Sequence, residues 1–155
     1  MRALSVRPPW SAAIAHFGKT VENRTWYTRH RGPLAIHASA MLDGGRERSD
    51  HIFERVADLS GLPDAVIREA AQVRSAIVAV ARLTTVCSAS LPVEAGFPLR
   101  CPCGPWAVAG QRHFRLADVR PLVEPVPARG ALGLWDLPDE VEAAVLAQLR
   151  TGAAR

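Results

Sequence analysis

Gly18-Lys19-Thr20-Val21-Glu22-Asn23-Arg24 is the stretch on which the reading of this chain turns. Before it, Trp10, Ile14 and Phe17 recur at i, i+4 and i+7, one apolar helix face, and Gly18 follows as a helix stop. Lys19 then comes just past the helix end, where the carbonyl end of the helix dipole favours a cation. Val21 to Trp26 reads as a strand. Alternation sets Glu22, Arg24 and Trp26 on one face and Val21, Asn23 and Thr25 on the other. An acid, a base and a ring thus share a face, with Lys19 beside them. Three jobs suit such a cluster: holding phosphate or a base edge, acid–base or nucleophilic chemistry with Lys19 and Glu22, or a salt-bridge network on a strand edge.

Outward from there the elements follow in order. Leu4 to Val6 reads as a first strand, and Arg7-Pro8-Pro9-Trp10 opens the helix, with proline tolerated in its first turn. Tyr27 to Gly32 is a basic loop. Leu34, Ile36 and Ala38 alternate with Ala35, His37 and Ser39, the pattern of a half-buried strand whose second face carries an imidazole and a hydroxyl. Helices are expected over 45–60 and over Pro63–Val73. Ser75 to Val86, the most apolar segment, reads as a central strand. Residues 87–105, with Pro92, Pro98, Pro102 and Pro105, read as a long loop of the kind that often carries function. Strands around Arg112–Leu122 and Gly130–Leu137 and a helix from Pro138 close the chain. Strands outnumber the crossovers a parallel sheet needs, so the expectation is an α+β domain with a mixed or barrel-like sheet.

The 155 residues are 48% hydrophobic and 22% charged, ordinary values for one globular domain. The longest strongly apolar run, Ala76–Ala81, is far short of a membrane span, and charge and proline occupy the N-terminus where a signal peptide is apolar. Three cysteines are too few for a disulfide framework, and a cytoplasmic protein with no membrane partner is expected. The charge is uneven. Residues 1–32 hold six basic residues against Glu22, whereas the rest carries 13 Arg against 14 acids. Trp10, Phe17, Trp26 and Tyr27 lie in the same basic fifth. Basic residues interleaved with aromatics suit a nucleic-acid surface, because cations pair with phosphate while rings stack on bases. Lys19 is the single lysine among 19 basic residues, which points to a site that needs a compact ammonium.

Cys101-Pro102-Cys103 with Cys87 and His113 invites a zinc site, but the spacing departs from the usual C-x₂₋₄-C pairing. Ordinary thiols are the preferred reading, with no metal and no cofactor expected. His16, His30 and His51 show no partner pattern.

The glycine followed by K-x-x-E-x-R resembles the signature of the ASCH (activating signal cointegrator homology) family, a branch of the PUA-like β-barrels. Ala3–Trp10 resembles that family's opening strand and helix start, Gly32–Ser39 its next strand, and Leu116–Leu122 and Gly130–Trp135 its late strands. The resemblance implies a PUA-like mixed β-barrel with peripheral helices, a single domain over 1–150 with a short tail at 151–155. It also implies a Lys19/Glu22/Arg24 cleft for a base or nucleotide of RNA or DNA, RNA or a single strand being favoured. The contacts expected are Arg7, Trp10, Lys19, Glu22, Arg24, Trp26, Arg29, Arg31, His37 and Ser39. The alternative is a hydrolase, either a ribonuclease or an amidohydrolase of the N4-acetylcytidine type, with Lys19 as catalytic group and Glu22 as proton carrier. Thr20 or Thr25 would then supply the threonine of such enzymes. Their glutamate comes from a later strand, yet Ser75–Val86 contains no acid.

Overall fold

Ten elements run through the chain in a computed structural model that describes residues 1–45, 49–88 and 103–152. They are β1 (Arg2–Val6), α1 (Trp10–His16), β2 (Val21–Arg24), β3 (Gly32–Ala38), α2 (Ser49–Ser60), α3 (Asp64–Ala70), β4 (Ala76–Ser88), β5 (Arg112–Pro127), β6 (Leu134–Asp136) and α4 (Asp139–Gly152). The order of strands and helices is the one the apolar periodicity predicts. The long loop expected at 87–105 falls for the most part outside the described residues.

The six strands form one mixed sheet in the order β2-β5-β4-β3-β1-β6. Only β1 and β3 pair in parallel; the other neighbours are antiparallel. β4 and β5 are the long central pair, and their ladder shifts register three times, between Ile77 and Ala79, Val80 and Arg82, and Leu83 and Thr85. Each irregularity adds local twist and bends the strand. The β3–β4 ladder has one more, between Ile36 and His37. The sheet therefore curls into a half-barrel. The curl brings edge strand β2 back toward β1, four positions away in the sheet, where Arg24 Nη2 donates to Ser5 O at 2.5 Å.

Apolar side chains pack on both faces of this sheet. Inside the curl, Leu4, Val6, Leu34, Ile36, Leu83 and Phe114 meet Ile14 of α1. On the other face, Ala3, Ala35, Ile77 and Leu122 meet Val141 and Val145 of α4. A third cluster joins Phe53, Val56 and Ile67 of α2 and α3 to Ala13, Val21, Cys103 and Trp106. This double covering corrects the reading of β3 as half-buried. Leu34 to Ala38 are all buried, because β3 lies between β4 and β1 with α1 on one side and α4 on the other. α1 departs from its one-faced pattern for a similar reason: Ser11 to Ala15 are buried without a break, between the inner core and the α2–α3 layer. Among the described residues, no helix is long and apolar enough to cross a membrane.

Candidate functional site

The C-terminus of α1 aims Lys19 inward. Gly18 takes φ +72, the left-handed conformation a glycine adopts without steric cost, and the amides of Phe17 and Lys19 both donate to Ala13 O, at 3.0 and 3.1 Å. The reversed chain delivers a lysine that is only 2% exposed. An ammonium stripped of water needs compensation by charge and hydrogen bonds. Val21 O and Glu22 Oε2 supply it, the carboxylate at 2.7 Å. The other oxygen of Glu22 pairs with Arg24 Nη2 at 3.2 Å. One buried carboxylate therefore bridges two cations, leaving the triad with a net positive charge. Lys19 Nζ also sits 5.7 Å from the centre of the Trp10 ring, whose negative face favours a cation. Trp10 Nε1 in turn donates to Asp43 Oδ2 at 2.8 Å, and Asp43 Oδ1 lies 3.5 Å from Arg7.

The opposite face of β2 holds a second element in place. Asn23 Nδ2 donates to Trp106 O and Asn23 Oδ1 accepts from Val108 N, both at 2.9 Å. One side-chain amide thus satisfies a backbone acceptor and a backbone donor of the segment that leads into β5. That segment, the triad, the turn around Asp43, Arg55 of α2 and residues 131–133 enclose a cleft of about 530 Å³. Its lining includes four cations (Arg7, Lys19, Arg24 and Arg55) against Glu22 and Asp43. Leu132 lies on it 98% exposed.

Of the residues expected from sequence, Arg7, Trp10, Lys19, Glu22, Arg24 and Ser39 meet in this cleft. Trp26, Arg29, Arg31 and His37 are not among its lining residues. Trp26 turns into the core and packs edge-on against Phe114, ring centres 5.0 Å apart at 89°. Arg29 is exposed. Arg31 is exposed and folds back onto its own loop, donating to Thr28 O and His30 O at 2.9 and 2.7 Å. His37 is 2% exposed, with Nε2 3.0 Å from Ala128 O and its ring edge-on to Trp135. Burial pushes its imidazole below the ordinary value, against a smaller upward pull from the Ala128 carbonyl. The sequence reading missed Ser5, Asn23, Asp43, Arg55 and Trp106. Trp106, at the close of the proline-rich stretch, carried a weak signal. Asp43 had only the turn-forming Gly44-Gly45 after it.

As chemistry, the triad brings hydrogen-bond donors together around one carboxylate. Both oxygens of Glu22 are engaged by the nitrogens of Lys19 and Arg24.

A mixed half-barrel with peripheral helices and a cleft at the meeting of β2 and β1 has the architecture of a PUA-like α+β domain. Within that class the chain belongs to the ASCH family, whose domain model matches residues 4–95. It is 45% identical over 47 residues to human activating signal cointegrator 1, a match covering 30% of this chain and 8% of that much longer protein. Two crystal structures of an ASCH protein from Zymomonas mobilis, a Tyr-to-Phe and a Ser-to-Ala variant, share its fold. Their TM-scores are 0.51 and 0.50, each at 14% identity over 94% of this chain, and they are covered over 96% and 94% of their own length.

Proposed function

We propose that the cleft binds a nucleotide unit of single-stranded nucleic acid, RNA in the first instance. The observation that carries this reading is the excess of cations on the cleft lining, with Lys19 and Arg24 held by one buried carboxylate. A rigid, partly desolvated pair of donors discriminates for anionic and carbonyl oxygens more strongly than mobile surface side chains do. Two of the three ammonium protons of Lys19 are accounted for by Val21 O and Glu22, which leaves one for a ligand oxygen. Arg7 and Arg55, both exposed at the cleft, suit phosphates, and the ring of Trp10 suits a base. The cleft volume lies within the range of sites that hold small ligands. The ASCH and PUA-like relationship, whose members mostly bind RNA or modified nucleotides, agrees with this chemistry.

Fluorescence anisotropy with labelled RNA and single-stranded DNA, across a salt series, tests the reading. Each phosphate contact on a single strand contributes about −0.7 to the slope of log K against log salt. Arg7→Ala and Arg55→Ala are each expected to flatten the slope by about that amount. No binding at low salt to RNA, DNA or hairpins sinks the proposal. The same reactions, run out on a gel and by mass spectrometry, separate a reader from a hydrolase. Product that appears with wild type and vanishes in Lys19→Ala would make Lys19 a catalytic group.

A further inference from the structure

Cys87, Cys103 and His113 are scattered over 27 positions of the sequence, and the fold gathers them. Cys87 near the end of β4 and His113 near the start of β5 are directly paired in the antiparallel ladder, so their side chains leave the sheet on the same face. Cys103 reaches them from the segment before β5, buried in the cluster that includes Phe53 and Trp106. One ligand atom from each of the three, two sulfurs and a ring nitrogen, lie within 4.8 Å of one another.

We propose that these three residues form a zinc site that fastens the 103–111 wall of the cleft to the β4–β5 ladder. Two thiolates and an imidazole are the ligand set of zinc and unlike the all-oxygen shells of calcium and magnesium. With Zn–S near 2.3 Å and Zn–N near 2.0 Å, tetrahedral geometry sets the ligand atoms about 3.5–3.8 Å apart. An approach of at most about 1.3 Å, within reach of side-chain rotation, completes that geometry.

One ring nitrogen of His113 is already fixed by the backbone. His113 Nε2 lies 2.7 Å from Val108 O, a carbonyl that can only accept. Nε2 is therefore the donor in that bond. A backbone carbonyl behind the ring is the usual means of fixing the tautomer of a metal-bound histidine. Charge balances as well: zinc displaces two thiol protons to solvent, and Zn²⁺ with two thiolates is neutral, which suits a buried position. Among the described residues these three supply the ligands. Cys101, which the sequence groups with these residues, lies outside the described residues.

The link to the cleft is short. Val108, whose carbonyl orients His113, gives its amide proton to Asn23, and Trp106, Val108 and Gln111 line the cleft. The inference itself stands apart from the choice of ligand for that cleft, because its readout is metal.

The 155-residue chain, stripped with a chelator under reducing conditions and titrated with zinc, is expected to take up about one equivalent. Cobalt substituted for zinc should show the intense visible bands of a tetrahedral ion and thiolate-to-cobalt charge transfer in the near ultraviolet. Cys103→Ser and His113→Asn should lose both signals, while circular dichroism establishes that each variant is folded. Zinc should raise the Tm of the stripped wild type and leave Cys103→Ser unmoved. Three results overturn the proposal: folded wild type that takes up no zinc, a cobalt spectrum without thiolate bands, or undiminished uptake by both variants. Should either variant fail to fold, the cobalt spectrum of the wild type decides alone.

Discussion

Replacing Glu22 by Gln keeps the size and shape of the side chain and removes the charge that holds Lys19 and Arg24 together. Lys19 is 2% exposed and the Glu22 side chain 9%, so the loss strands an ammonium that little water reaches. Breaking a buried pair in this way costs about 3–5 kcal/mol. The lower end applies, because the amide oxygen still accepts from Lys19 and Arg24 keeps its bond to Ser5 O. The amide nitrogen, however, then faces the Arg24 guanidinium, a donor against a donor. About 3 kcal/mol translates to a fall in Tm of roughly 6–12 °C for a domain of this size. Urea unfolding followed by tryptophan fluorescence and by circular dichroism measures it. Adding Lys19→Met to Glu22→Gln removes the stranded charge, and the double variant should recover about 1–3 kcal/mol relative to the sum of the singles. A single-variant loss below about 1 kcal/mol, the level of a solvent-exposed pair, would refute the reasoning. So would strict additivity.

Other outcomes follow from the same structure. Gly130→Ala places a Cβ 2.4 Å from His37 Cε1 and 2.7 Å from Ser5 Oγ, and His37 is buried with no room to retreat; a loss of about 1–3 kcal/mol by urea unfolding is expected. The lowered imidazole of His37 makes stability pH-dependent in a definite sense: it is full above the ordinary value near 6.5, where the ring is neutral in both states, and is lost as pH falls toward the depressed folded value. Tm measured from pH 8 to pH 5 should therefore decline below about 6.5, and His37→Gln should flatten that decline. Phe114→Ala, at the centre of the inner core and under the edge of Trp26, should cost about 3–5 kcal/mol and shift the tryptophan emission. Asn23→Ala frees both Trp106 O and Val108 N from β2, and amide exchange should rise in 103–111 before it rises in β3.

The spacing of Lys19, Glu22 and Arg24 carried most of what the sequence could say of the site. A helix stop followed by strand alternation leaves few ways to arrange those three, and the ion triad follows from local geometry alone. Element order was legible for the same reason, since helix and strand periods differ and the apolar residues keep to them.

His37 and Trp26 show where local reasoning stops. Alternation reveals that a side chain leaves one face of a strand, but not whether that face meets water, another layer or a cleft. β3 is covered on both faces because it lies inside a six-stranded sheet with helices on each side. Strand order is a property of pairing between distant segments, which no window of residues contains. The register shifts of β4 and β5 curl the sheet until β2 approaches β1, and that closure, with the turn at Asp43 and the segment at Trp106, makes a cleft of the triad. Cys87 and His113 are 26 residues apart and stand opposite one another only because that ladder has that register. The sequence by itself determined the elements and the charged cluster, since both are set by neighbours along the chain. Only the tertiary structure decided which residues surround the cluster, since those contacts depend on long-range pairing and on which faces the packing covers.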